Sequence, residues 1–110
     1  MMVEEHPASA LAADLHSHST ISDGVLSPRE LVQRASEHAV ELFALTDHDE
    51  LAGLEEAAAT AREVDLPFVT GVEISVTWGS TTVHIVGLGI DPDDRKLLKA
   101  LARVRSGRTV

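Results

Sequence analysis

Cysteine and tyrosine are absent from the 110 residues, and aromatic side chains are scarce, with one tryptophan and two phenylalanines. Without cysteine there can be no disulfide, no thiolate zinc site and no cysteine nucleophile. No apolar run approaches the roughly 20 residues that a membrane-crossing helix needs. The opening Met-Met-Val-Glu-Glu-His-Pro is acidic where a secretory signal is basic, and no long apolar stretch follows it, so a cytoplasmic protein is expected. Positive charge is also short: nine Lys and Arg stand against 18 Asp and Glu, a net charge of −9. That balance argues against duplex nucleic acid as a partner, because such binding relies on Lys and Arg neutralising phosphates. What remains is an ordinary globular composition, 44% apolar and 25% charged, of a length suited to one small domain. Six histidines lie among those carboxylates.

Residues 1–12 are polar and then Ala-rich, contain Pro7 and show no apolar period, so a flexible leader is expected there, with the folded part over 13–110. A first strand is expected over Ala12 to Ser17, ending in the turn-forming run Ser19-Thr20-Ile21-Ser22-Asp23-Gly24. Ser27-Pro28-Arg29-Glu30 marks a helix start: Ser27 can cap free N–H groups, Pro28 fits the first helical position and Glu30 completes a capping box. Leu31, Val32, Ala35 and Ala39 share one face of that helix, and Leu42-Phe43-Ala44-Leu45 is a continuous apolar strand. Asp49 or Glu50 can open a second helix, with Leu51, Leu54, Ala58 and Ala61 on its apolar face and Gly53 inside it. Phe68 to Ser75 and Thr81 to Ile90 are β-branched and apolar, hence strands. Asp91-Pro92-Asp93-Asp94 opens a last helix, in which Lys99, Arg103 and Arg105 gather toward the C-terminal end and complement its dipole. The order β-α-β-α-β-β-α predicts an α/β fold, a parallel sheet with helices outside it. Four such strands leave an open edge and an unfinished helical layer, so an incomplete domain is expected.

The chemistry-bearing residues fall at the ends of the predicted strands. Asp14-Leu15-His16-Ser17-His18 places two imidazoles two residues apart, on one face of an extended backbone. Asp23 follows in the next loop, Thr46-Asp47-His48-Asp49 follows the second strand, and Glu73 and His84 interrupt the apolar third and fourth strands. Taken singly, each has a plain explanation: Asp23 before Gly24 as a turn residue, Asp47 or Asp49 as a helix cap, His6 and His38 as surface residues. A carboxylate and an imidazole inside apolar strands, however, need partners. Ligands of α/β sheets gather at the carboxyl ends of the strands, where His16, His18, Asp23, His48 and Glu73 converge with His84 beside them. Imidazole and carboxylate without sulfur suit Zn, Fe or Mn. Six such groups exceed one tetrahedral site, so two or three divalent ions sharing Glu73 are expected.

These segments, together with Val83-His84-Ile85-Val86-Gly87-Leu88-Gly89-Ile90, resemble the polymerase and histidinol phosphatase (PHP) domain, a family of metal-dependent phosphoesterases. The resemblance runs from Asp14 to about Leu101, and it is nearest to members that dephosphorylate nucleoside 3′,5′-bisphosphates or trim short RNA from its 5′ end. It implies the N-terminal part of a distorted β/α barrel with a three-metal cluster. It further implies that His16, His18 and Glu73 hold one ion, Asp23 and His48 a second, and Glu73 with His84 a third. Glu73, Asp47 and Asp49 are then the residues closest to catalysis, the two aspartates orienting His48 or the substrate. Later segments of the family add another His and an Asp-x-His, and no histidine follows His84 here, so a further segment or a partner chain is expected to complete the site. The competing expectation is a non-catalytic remnant, a module that binds metal or packs against a partner.

Overall fold

The computed structural model describes residues 11–108. Residues 1–10 of the expected leader, His6 among them, lie outside the described residues. The elements follow the predicted order: β1 (Ala13–Asp14), α1 (Pro28–Glu37), β2 (Leu42–Leu45), α2 (Leu54–Glu63), β3 (Phe68–Trp78), β4 (Thr81–Leu88) and α3 (Arg95–Arg108). The strands form one half-barrel sheet in the order β1-β2-β3-β4. Among the described residues no helix is long and apolar enough to cross a membrane.

α1 starts as its sequence dictates. Ser27 Oγ accepts from the Glu30 N–H at 3.1 Å, and Glu30 Oε1 accepts from the Ser27 N–H at 2.9 Å, with Pro28 at the first position. α2 starts later than expected. Its N-cap is Gly53, so neither Asp47 nor Asp49 caps it and Gly53 carries no interior-helix penalty. At α3 the cap is Asp94, whose Oδ1 accepts from the N–H groups of Lys96 and Leu97 at 2.9 and 3.0 Å. The core joins all three helices to the sheet through Val32, Phe43, Leu45, Leu54, Val72 and Leu101.

The sheet is not wholly parallel. β1–β2 and β2–β3 are parallel, but β3 and β4 pair antiparallel from Gly71↔Leu88 to Trp78↔Thr81. A two-residue turn, Gly79-Ser80, joins them, with Gly79 at φ +64°. Tight hairpin turns of this kind need positive φ, and a parallel connection would need a dozen residues or more. The Gly-Ser pair between two β-branched runs was the sequence signal for it. Trp78 sits at the hairpin tip, 80% exposed. β1 is also shorter than expected, two residues, and the chain from Leu15 to Ser19 continues beside β2 through the Ser17 and Thr46 backbones.

Both α1 and α2 end in a left-handed residue, Ala39 at φ +62° and Asp65 at φ +60°. The Val40 N–H returns to the Ala35 carbonyl and the Leu66 N–H to the Ala61 carbonyl, closing each helix by a Schellman-type turn. Aspartate tolerates this backbone, whereas at Ala39 the Cβ opposes it by roughly 1–2 kcal/mol. Ala39→Gly is therefore expected to stabilise the chain by about 0.5–1 kcal/mol, read as a higher urea midpoint. An unchanged or lower midpoint would show that the strain is relieved elsewhere.

Candidate metal centre

Glu73 is the hub of the site. It lies in β3 with a side chain only 7% exposed, between apolar neighbours. After β2 ends at Leu45, the chain rejoins β3. The Glu73 N–H donates to the Asp47 carbonyl at 3.0 Å and the Asp49 N–H to the Glu73 carbonyl at 2.9 Å, which sets His48 beside Glu73. From the β1 side, the Ser17 hydroxyl turns inward to the Ala44 carbonyl at 2.7 Å, and His16 and His18 turn to the opposite, open side. Their Nε2 atoms meet Glu73 Oε1 at 2.8 and 2.6 Å. His84 approaches from β4, its Nδ1 3.7 Å from Glu73 Oε2 and 3.3 Å from the Ser75 hydroxyl opposite it in the hairpin. The two Glu73 oxygens thus face different imidazoles.

Asp23 closes the remaining side. Its carboxylate stands 2.9 Å from His18 Nδ1 and 3.2 Å from His48 Nε2. The turn that delivers it folds back so tightly that a Cβ on Gly24 would sit 2.1 Å from the His18 carbonyl oxygen. Only glycine fits there. The rings form a row, with centroid separations of 5.2 Å from His16 to His18, 4.3 Å from His18 to His48 and 5.4 Å from His48 to His84. His38 is remote from the row, exposed at the end of α1 with its Nδ1 2.8 Å from the Arg34 carbonyl oxygen.

Asp47 and Asp49 are buried, 2% and 0% exposed, and their carboxylates hold backbone and hydroxyl groups. Asp47 accepts from the Ser19 N–H, the Ser19 hydroxyl and the Ser22 hydroxyl, each at 2.6 Å. It thereby ties the loop carrying His18 and Asp23 to the loop carrying His48. Asp49 Oδ1 accepts from the Ser75 N–H at 2.8 Å. The sequence did not single out the buried Ser19 or the half-buried Ser22 as partners, and nothing in their polar surroundings marked them.

The electrostatics favour an ionised hub. Burial by itself raises the Glu73 pKa, but the hydrogen bonds to His16 and His18 and the charges of His48 and His16 oppose it. Together they hold the carboxyl below the ordinary carboxylate value. A carboxyl lowered in this way adds to folding stability above its unfolded value and loses that contribution as pH falls through the folded one.

The residues present fit divalent ions. Three groups, His16–His18–Glu73, His18–Asp23–His48 and His48–Glu73–His84, each bring their ligand atoms within 4.8 Å of one another. Nitrogen and carboxylate oxygen without sulfur match Zn, Mn or Fe. Beside the row runs an open cleft of about 710 Å³, lined by Asp23, His48 and His84 and by Arg103 and Val104 of α3.

A half-barrel that gathers imidazoles and carboxylates where its parallel strands end and its β3–β4 hairpin begins defines an α/β domain of the metal-dependent hydrolase type. The chain belongs to the PHP domain family, which matches residues 14–103. It is 56% identical over 95 residues to a 3′,5′-nucleoside bisphosphate phosphatase of Chromobacterium violaceum, covering 86% of this chain and 33% of that protein. It is 50% identical over 100 residues to a 5′-3′ exoribonuclease of Haemophilus influenzae, covering 88% of this chain and 36% of that protein. Among solved structures, an amidohydrolase from Chromobacterium violaceum, determined with bound sulfate and no metal, superposes with a TM-score of 0.85 at 55% identity. That match covers 88% of this chain and 34% of that one. The chain therefore spans about a third of the length of these two relatives.

Proposed function

We propose that these residues form most of a two- or three-ion centre, of Mn, Zn or Fe, that hydrolyses phosphate esters. Nucleoside 3′,5′-bisphosphates or short oligoribonucleotides are the substrates, met in the cytoplasm. The observation that carries the reading is the convergence of four imidazoles on one buried Glu73, with Asp23 against two of them. The names of the two relatives and the sulfate held by the structural neighbour support a phosphate-type oxyanion as the ligand.

His16 and His18 with Glu73 would hold one ion, Asp23 and His48 a second, and Glu73 with His84 a third. Such ions, when bound, neutralise phosphoryl oxygens and make water a better nucleophile. The chain's own part is placement. Glu73 presents one oxygen to the His16–His18 side and the other to the His84 side, so it would serve ligand groups on both. Ser75 orients His84, while Asp47 and Asp49 hold the loops that carry His18, Asp23 and His48. Outer partners of this kind typically matter 10–100-fold to metal affinity or activity. Residues outside these 110, from further chain or a partner, complete the ion shells.

The test is phosphate release from adenosine 3′,5′-bisphosphate and from a short 5′-phosphorylated RNA by the product of the complete reading frame, with added Mn. Release that depends on Mn is expected, and so is near-zero turnover by the 110-residue chain alone. No metal-dependent release from either substrate would sink the reading. Robust turnover by the isolated monomeric chain would show that the shells need no completion.

A further inference from the structure

The cations of α3 have different surroundings, although the sequence offered Lys99, Arg103 and Arg105 one shared task, complementing the helix dipole. Lys99 is exposed and lies outside the cleft beside the imidazole row. Arg105 is taken up inside the chain: its Nη1 donates to the Asp49 carbonyl at 2.6 Å and lies 3.5 Å from Glu50 Oε2. Arg103 stands in the wall of the cleft. Among the described residues no carboxylate lies within 4.0 Å of its guanidinium, and no other arginine or lysine lines that cleft. In a chain with 18 carboxylates, a guanidinium set apart from all those described is open to an anion from outside.

The β3–β4 hairpin supplies another wall. Side chains alternate along a strand, so Glu73, Ser75 and Thr77 share one face of β3, with Val86, His84 and Thr82 opposite them on β4. Ser75 and His84 meet each other at 3.3 Å and belong to the metal centre. The next pair on that face, Thr77 and Thr82, stands about 7 Å further along the strands. Both line the cleft, and among the described residues neither hydroxyl has a hydrogen-bond partner. A planar guanidinium fork and two O–H donors are the groups that proteins set around phosphate oxygens. The step from His84 to the threonine pair is close to the separation that a ribose imposes between its 3′- and 5′-phosphates.

We propose that Arg103, with Thr77 and Thr82, holds the second, uncleaved phosphate of the substrate. These residues then set a preference for doubly phosphorylated nucleosides and RNA chains over a lone phosphate. The inference deepens the hydrolase reading and rests on it: the metal row takes the phosphate to be cleaved, and this part of the cleft takes its neighbour. A contact to the uncleaved phosphate is made equally before and during reaction, so its loss appears in KM and leaves kcat alone.

The test uses the product of the complete reading frame with added Mn, adenosine 3′,5′-bisphosphate as substrate and inorganic phosphate as competitor. Inorganic phosphate needs the metal row alone, so the two compounds report on the two parts of the cleft separately. In Arg103→Gln, KM for the bisphosphate is expected to rise about tenfold. kcat and the inhibition constant of inorganic phosphate are expected to stay within about twofold of the wild type. Thr77→Val keeps the β-branched shape and is expected to raise KM about threefold. Lys99→Gln removes the same charge from the same helix outside the cleft and is expected to match the wild type. An unchanged KM in Arg103→Gln overturns the proposal. So does a parallel rise in the inhibition constant of inorganic phosphate, which puts Arg103 at the cleaved phosphate or in the fold of the metal centre. An equal rise in KM for Lys99→Gln overturns it too, by showing a general effect of charge. If the wild-type product releases no phosphate with Mn, the hydrolase reading fails on its own. Calorimetric titration with the same bisphosphate then decides the subsite: about tenfold weaker binding by Arg103→Gln keeps it, and equal binding, or none by the wild type, ends it.

Discussion

Glu73→Gln is expected to leave the chain folded and to cost it its ions. The amide keeps an oxygen that can accept from His16 and His18, now 2.8 and 2.6 Å from Oε1, so the metal-free packing of the site has a substitute for each contact. What is lost is the negative charge, and with it the ability of one side chain to serve ions on two sides. Because Glu73 stands in two of the three ligand groups, affinity for Zn or Mn should fall on the order of a hundredfold or more, above the range for outer partners. Calorimetric titration of the variant gives the answer, with circular dichroism showing that the fold is retained. Wild-type affinity and stoichiometry in Glu73→Gln would remove Glu73 from the centre.

Asp47→Ala is expected to be the most destabilising single change in the site. The carboxylate is 2% exposed and satisfies one backbone N–H and two hydroxyls at 2.6 Å each. Truncation leaves those donors without their partner, and Ser19 is itself fully buried. At about 1–3 kcal/mol for each buried group left unsatisfied, a total of about 3–5 kcal/mol follows. A small domain has only about 5–15 kcal/mol of stability to lose. The melting temperature should fall by about 10 °C or more. Asp47→Asn keeps the shape and an acceptor for the Ser19 N–H, and is expected to lose less than half as much. A melting temperature for Asp47→Ala close to the wild type would mean that the two loops are held by something other than this carboxylate.

The pieces legible in the sequence were those with a local cause. Ser27-Pro28-Arg29-Glu30 contains its whole capping box within four residues, and the structure closes it as written. His16 and His18, His48, Glu73 and His84 stood out together because strand ends are where ligands of α/β sheets gather and polar groups inside apolar runs need partners. Relations between segments distant in the chain were harder to see. β4 would be equally β-branched and apolar in either direction, so its antiparallel pairing rested on the short Gly79-Ser80 turn alone. Asp47 looked like a helix cap because its neighbours fit one, while its real partners are 25 and 28 residues earlier. Arg105 reaches back 56 residues, and no periodicity records such a contact.

The solitary indole at the hairpin tip has a practical consequence for how this protein is observed. With no tyrosine and with Trp78 already 80% open to solvent, intrinsic fluorescence comes from a reporter whose surroundings hardly change when the core unfolds. A melt followed by emission would look nearly flat while β2 and the helices come apart.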